Sequence, residues 1–129
     1  MTQKEFLSNF LKKHKQDIII ASLGSISNNI DDLGDNPNVI QIRGAMGCAI
    51  AAGLGYALAS DRKVYALIGD GALLMKLGSL ALFAKHKPKN LKIIVLNNNC
   101  HASCGGQATN FRYIKNRLKG IVQINEVCS

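Results

Sequence analysis

The sequence predicts an α/β fold of three layers, α/β/α, built on a parallel sheet, and two observations predict it. Short runs rich in Ile, Val and Leu recur at residues 17–22, 39–42, 64–68 and 91–96, the pattern of strands buried on both faces. Helical patterns lie between them at residues 25–33, 45–59 and 72–87. A parallel crossover needs a long connection that covers the sheet, so regular alternation of strand and helix specifies βαβ units.

The elements follow in order. Thr2 and Glu5 form a capping box ahead of Phe6, Leu7, Phe10 and Leu11, whose spacing puts four apolar side chains on one helical face. This helix is expected to end near His14. The strand at 17–22 leads to the helix at 25–33, and the strand at 39–42 to the helix at 45–59, which is rich in small residues. After the strand at 64–68, one helix is expected over 72–87, carrying Leu74, Leu77, Leu80 and Leu82, and the strand at 91–96 follows.

Composition narrows the class. A chain of 129 residues, 47% hydrophobic, with 12 Gly and only 2 Pro, can bury the core of one domain spanning 1–129 and is neither disordered nor collagen-like. The longest apolar stretches, 18–21 and 48–54, fall far short of the roughly 20 residues of a membrane span, and residues 1–13 are charged throughout. A soluble, cytoplasmic protein with no membrane partner is expected, its cysteines Cys48, Cys100, Cys104 and Cys128 reduced. The run from Cys100 through His101 to Cys104 lacks the second Cys/His pair that tetrahedral zinc requires. The net charge of +8 gathers in 85–92 and 112–119 and suits a polyanion. With 5% aromatic residues and no Trp, stacking on nucleic-acid bases is not expected, and the lysines read as solvated helix faces.

In such sheets ligands bind beyond the carboxyl ends of the strands. Residues 22–27, 43–47, 69–72 and 97–106 occupy those places, each with Gly, Ser or Asn, and each alone could be a turn. Gly69-Asp70-Gly71 ends a strand and opens a helix, so free N–H groups can meet phosphate while Asp70 offers a carboxylate to a cation. Asn98 follows 28 positions later, again at a strand end. An Asp, an Asn and a main-chain carbonyl are hard oxygen donors of the kind Mg2+ takes alongside phosphate oxygens.

Gly69-Asp70-Gly71 followed by helix, strand and Asn97-Asn98 resembles the signature of thiamine-diphosphate-dependent 2-oxo acid decarboxylases and acetolactate synthases. The stretch from Val95 through His101, Ser103, Gly105, Gly106 and Gln107 to Thr109 is similar to the LNNxxHxSxGGQxT loop of phosphonopyruvate decarboxylases. Gly44-Ala45-Met46-Gly47 resembles the GxMG turn of the family, and Gly24 and Ser27 match its diphosphate-touching loop. The resemblance implies thiamine diphosphate and Mg2+ as cofactors, with Asp70, Asn98 and the carbonyl of Cys100 as metal ligands. It further implies that Gly24, Ser27, Gly44, Gly69, Gly71 and Ala72 border the cofactor, that Met46 props thiamine into its bent form, and that His101 and Ser103 stand beside the reacting carbon.

The implied reaction converts phosphonopyruvate to phosphonoacetaldehyde and CO2, a small anionic 2-oxo acid being the substrate. Three departures matter. The glutamate that activates the cofactor belongs, in this family, to a separate pyrimidine-binding domain, and here only Glu5 and Glu126 exist, neither in a matching motif. The family's diphosphate-binding domain also runs further beyond its GGQxT loop, so residues 1–129 are expected to be a C-terminally shortened version of it. A homo- or hetero-oligomer with a pyrimidine-binding partner is therefore expected, the isolated chain being inactive. Ser25 and Asn28 stand where the nearest relatives carry basic residues, which keeps sulfopyruvate or another 2-oxo acid open as substrate. A non-catalytic module that retains the fold remains the alternative of a different class.

Overall fold

The computed structural model describes residues 1–129 throughout. Helix α1 (Gln3–Lys13) begins on the capping box: Glu5 N–H donates to Thr2 Oγ1 (3.2 Å) and Thr2 N–H donates to Glu5 Oε2 (2.7 Å). That main-chain donor, with the Thr2 hydroxyl, holds the Glu5 carboxyl below the usual carboxylate range. The order continues β1 (Ile18–Ser22), α2 (Ser25–Asp32), β2 (Val39–Ile42), α3 (Ala49–Leu58), β3 (Val64–Gly69), α4 (Asp70–Met75), α5 (Ser79–His86), β4 (Leu91–Asn97), α6 (Lys115–Leu118) and β5 (Gln123–Glu126).

All five strands are parallel, in the order β2-β1-β3-β4-β5. Alternation along each strand divides the core between the two faces. Ile18, Ile20, Val64, Ala66, Ile68, Ile93 and Val95 pack with Ile50, Leu54, Leu73 and Leu80 from α3, α4 and α5. On the other face Ile19, Ala21, Leu67, Ile94 and Leu96 pack with Leu7, Leu11, Ile26 and Ile30 from α1 and α2. Each such side chain contributes on the order of 1.5–3 kcal/mol on burial, and this two-sided demand is why the strands read as unbroken apolar runs.

The four expected strands are present, and three differences from the expectation have physical causes. Helix α3 starts at Ala49 rather than at 45, because Gly44 and Gly47 take positive φ (73° and 83°) and hold residues 43–48 in turns. The single helix expected over 72–87 divides into α4 and α5: Lys76 leaves helical geometry at φ −127°, ψ 43°, and Gly78 precedes the restart. The fifth strand carries the sequence Gln-Ile-Asn-Glu, too polar to stand out, and it lies at the sheet edge, where polar residues meet water.

The chain passes from β1 outward to β2, then returns over β1 to build β3, β4 and β5 on the other side. The order reverses between β1 and β3, and at such a reversal the connecting loops diverge and leave a crevice at the carboxyl ends of the strands.

Candidate functional site

A cleft of about 70 Å3 occupies that crevice, lined by Leu23 and Ser25 after β1, Met46 after β2, Gly69 to Ala72 after β3, and Asn98 and Cys100 to Cys104 after β4. It opens past Met46, Gly71 and His101 into a wider groove of about 720 Å3 that also includes Leu74 and Met75.

The β3 arm is built into the core. Asp70 is the first residue of α4 and only 2% exposed. Its Oδ2 accepts a hydrogen bond from the Thr109 hydroxyl, itself buried. Thr109 Oγ1 also accepts from the Phe111 N–H (3.4 Å). The hydroxyl has a single proton, so that proton serves Asp70 and the carboxylate is received as an acceptor. Oδ1 has no hydrogen-bond partner and is not sealed from solvent, so it is open to a cation at the cleft. At Gly71 a Cβ would meet the His101 ring at 2.5–2.7 Å, so only glycine lets the imidazole lie against this turn. At Gly47 a Cβ would meet the Ala72 carbonyl at 2.9 Å, so its absence lets the 44–47 turn close onto α4 and deliver Met46 to the cleft.

The β4 arm is an exposed loop. Asn97 is buried and turns away from the cleft, its Nδ2 donating to Glu126 Oε2 (2.7 Å), while its Oδ1 accepts from the Asn99 N–H (3.2 Å). Asn98 faces the cleft: its Oδ1 accepts from the Cys100 N–H and its Nδ2 donates to Ser129 Oγ, both at 3.1 Å. His101 to Cys104 fold into a short 3-10 turn closed by the Cys104 N–H to His101 O bond (3.0 Å). Ser103 Oγ lies 3.1 Å from where a Cβ on Gly24 would stand, so the loops after β1 and β4 meet across the opening.

The structure thus brings Met46, Gly69, Asp70, Gly71, Ala72, Asn98, Cys100, His101 and Ser103 to one cleft, with Gly24 beside it. Gly44 and Ser27 lie outside its lining; Ser27 instead ties α2 to β1 by donating to the Ser22 carbonyl at 2.9 Å. Thr109 and Gln3 are additions. Gln3 belongs to α1 but reaches the cleft floor, where its Oε1 accepts from Asn29 Nδ2 (2.8 Å). Thr109 closes the loop motif matched in the sequence, but its bond to Asp70 carries no local signal, and neither does a Gln inside a helical run.

Asp70, Asn98 and Cys100 line one cleft, and a carboxylate, an amide and a main-chain carbonyl are a donor set of the kind that fits Mg2+. No group of three or more His, Cys, Asp or Glu side chains converges, so Cys100, His101 and Cys104 assemble no zinc site. Glu5 and Glu126 are both occupied elsewhere, the first in the α1 cap and the second with Asn97 and Lys115. No helix is long and apolar enough to cross a membrane.

Comparison with known proteins identifies the family of this chain. Over 95 residues the chain is 40% identical to the sulfopyruvate decarboxylase subunit beta of Methanothermobacter thermautotrophicus, covering 74% of this chain and 51% of that one. Over 91 residues it is 43% identical to the phosphonopyruvate decarboxylase of Streptomyces hygroscopicus, covering 70% of this chain and 23% of that one. The chain therefore spans about half of the first relative's length and about a quarter of the second's. An X-ray structure from Mycobacterium smegmatis, described as a thiamin diphosphate-dependent enzyme, superposes over 100% of this chain and 32% of its own with a TM-score of 0.72. At 18% identity that likeness speaks for the fold alone. Residues 28–123 match the family model "Thiamine pyrophosphate enzyme, C-terminal TPP binding domain", and the chain belongs to that family.

Proposed function

We propose that this chain supplies the diphosphate- and magnesium-binding half of the active site of a 2-oxo acid decarboxylase, most simply one that converts phosphonopyruvate to phosphonoacetaldehyde and CO2. The observation that carries the proposal is the convergence of Asp70, Asn98 and Cys100 with His101 and Ser103 on one cleft at the sheet's reversal point.

In this reading Asp70 Oδ1, Asn98 Oδ1 and the Cys100 carbonyl hold Mg2+, and the N–H groups at the start of α4 face the diphosphate. Thiamine diphosphate, when bound, supplies the electron sink for loss of CO2. Met46 would support its ring system. His101 and Ser103 would hydrogen-bond the substrate or carry its proton. At about 70 Å3 the cleft has room for a hydrated ion and a few water-sized groups, whereas whole cofactor sites run to about 300–1,000 Å3. A second surface must close over the rest. Met75, 62% exposed beside the wider groove, is where a pyrimidine-binding domain or subunit would pack, bringing the activating glutamate that neither Glu5 nor Glu126 is placed to supply. The working form is then an oligomer, and a cytoplasmic setting keeps its four thiols reduced.

Calorimetric titration of the chain with thiamine diphosphate and Mg2+ tests the cofactor half. Binding heat that depends on the metal and vanishes in Asp70→Ala is expected; no heat with the wild-type chain would refute it and favour a non-catalytic module. The likeness to a sulfopyruvate decarboxylase subunit beta supports sulfopyruvate as a second substrate reading. Turnover of the two acids after adding a pyrimidine-binding subunit separates the two.

A further inference from the structure

We infer that the flank of the sheet beside α1 carries a second ligand site, suited to a planar heteroaromatic compound bearing an anionic group, such as a nucleoside monophosphate. A groove of about 370 Å3 lies there, running along α1 from Met1 to His14 over Tyr65 of β3, Lys92 and Ile94 of β4 and Gln123 of β5. It lies within the size range of small-ligand sites, about 300–1,000 Å3.

Its lining combines three kinds of group. Phe6, Phe10 and Tyr65 form an aromatic wall: the Phe6 and Phe10 rings stack at 5.7 Å, and Phe10 meets Tyr65 edge-on at 5.1 Å. His14 sits 4.4 Å from both Phe10 and Tyr65, its Nδ1 hydrogen-bonded to Asp17 Oδ2 at 2.8 Å. That bond fixes the ring and leaves Nε2 without a partner, the arrangement by which a carboxylate orients an imidazole toward a ligand. Lys13 and Lys92 line the groove, no carboxylate does, and neither lysine forms an ion pair.

An aromatic wall favours a flat ring, which stacks at little conformational cost. Two unpaired ammonium groups favour an anion, and Nε2 can accept from a ring amine. The rings and the His14–Asp17 bond also serve to pack α1 on the sheet; what packing leaves to a ligand is the free Nε2 and the two lysines that share the groove. A second copy of this chain is disfavoured as occupant, because it would bring Lys13 and Lys92 against their own equivalents.

The test is a 1H–15N NMR titration of the full chain with adenosine 5′-monophosphate, alongside inorganic phosphate and adenosine. Saturable shifts are expected at Phe10, His14, Tyr65 and Lys92, with at least about tenfold weaker binding of either fragment. Phe6→Ala and the exposed pair Lys13→Glu/Lys92→Glu should each weaken the nucleotide by a similar factor, while Asp70→Ala should leave it unchanged. The inference is overturned if the groove amides do not respond, or if phosphate alone binds equally well. It is equally overturned if shifts centre on Asn98 and His101 and disappear in Asp70→Ala, which would mean occupation of the first cleft. A partner chain shielding these amides without any response to the nucleotide would overturn it as well, marking a protein interface.

Discussion

The two arms of the cleft are built to opposite standards. The arm after β3 is part of the core: Asp70, Gly71, Ala72 and Leu73 are buried, and Thr109 and Phe111 back them from behind. The arm after β4 is surface: Ala102 to Ala108 are all exposed and lean on Gly24 and on main-chain bonds of their own loop. Tight burial suits a ligand whose geometry must not vary, such as a metal ion, and exposure suits side chains whose surroundings are completed by something else. The two arms therefore differ in how firmly the fold holds them, although the proposed metal ligands come from both.

Substitutions can break or sharpen that contrast. Phe111→Ala removes the fully buried ring behind Asp70 and should cost about 3–5 kcal/mol in urea unfolding. A cost near zero would mean the β3 arm is not core-supported. Gly71→Ala forces a methyl into the His101 ring and should cost about 1–3 kcal/mol, with His101 displaced; thermal unfolding and the His101 side-chain NMR signals report both. Thr109→Val strips the hydrogen bond from Asp70 and should cost about 1–3 kcal/mol. It should also weaken metal-dependent cofactor binding, which Thr109→Ser should restore; calorimetry of the pair decides whether the hydroxyl or merely the methyl matters. Ser103→Ala, on the exposed arm, should change stability by no more than about 0.5 kcal/mol while lowering turnover of the assembled enzyme. A large loss of stability there would erase the distinction between the arms.

Much of this was legible beforehand. Strands buried on both faces advertise themselves, so β1, β3 and β4 were readable from Ile, Val and Leu alone, and the places where chemistry gathers followed from their ends. The edge strand β5 was not, because Gln123 and Asn125 obey no two-sided burial demand. The break between α4 and α5 was hidden because Leu74, Leu77 and Leu80 keep helical spacing across it, although Met75 and Leu77 end up exposed. Asp70 and Asn98 were placed at strand ends by their order and separation, and both line the cleft. Thr109 as the support of Asp70, and Gln3 as a lining residue, depend on tertiary juxtaposition across 39 positions in the first case, which no local pattern encodes.

Residues 1–3 and 128–129 are sewn together beside the cleft. Gln3 N–H donates to the Cys128 carbonyl (2.9 Å), Cys128 N–H donates to the Met1 carbonyl (3.1 Å), and Ser129 Oγ receives the Asn98 amide. A shift of this stitch is therefore transmitted, through Cys128 and Ser129, to the same asparagine that faces the cleft.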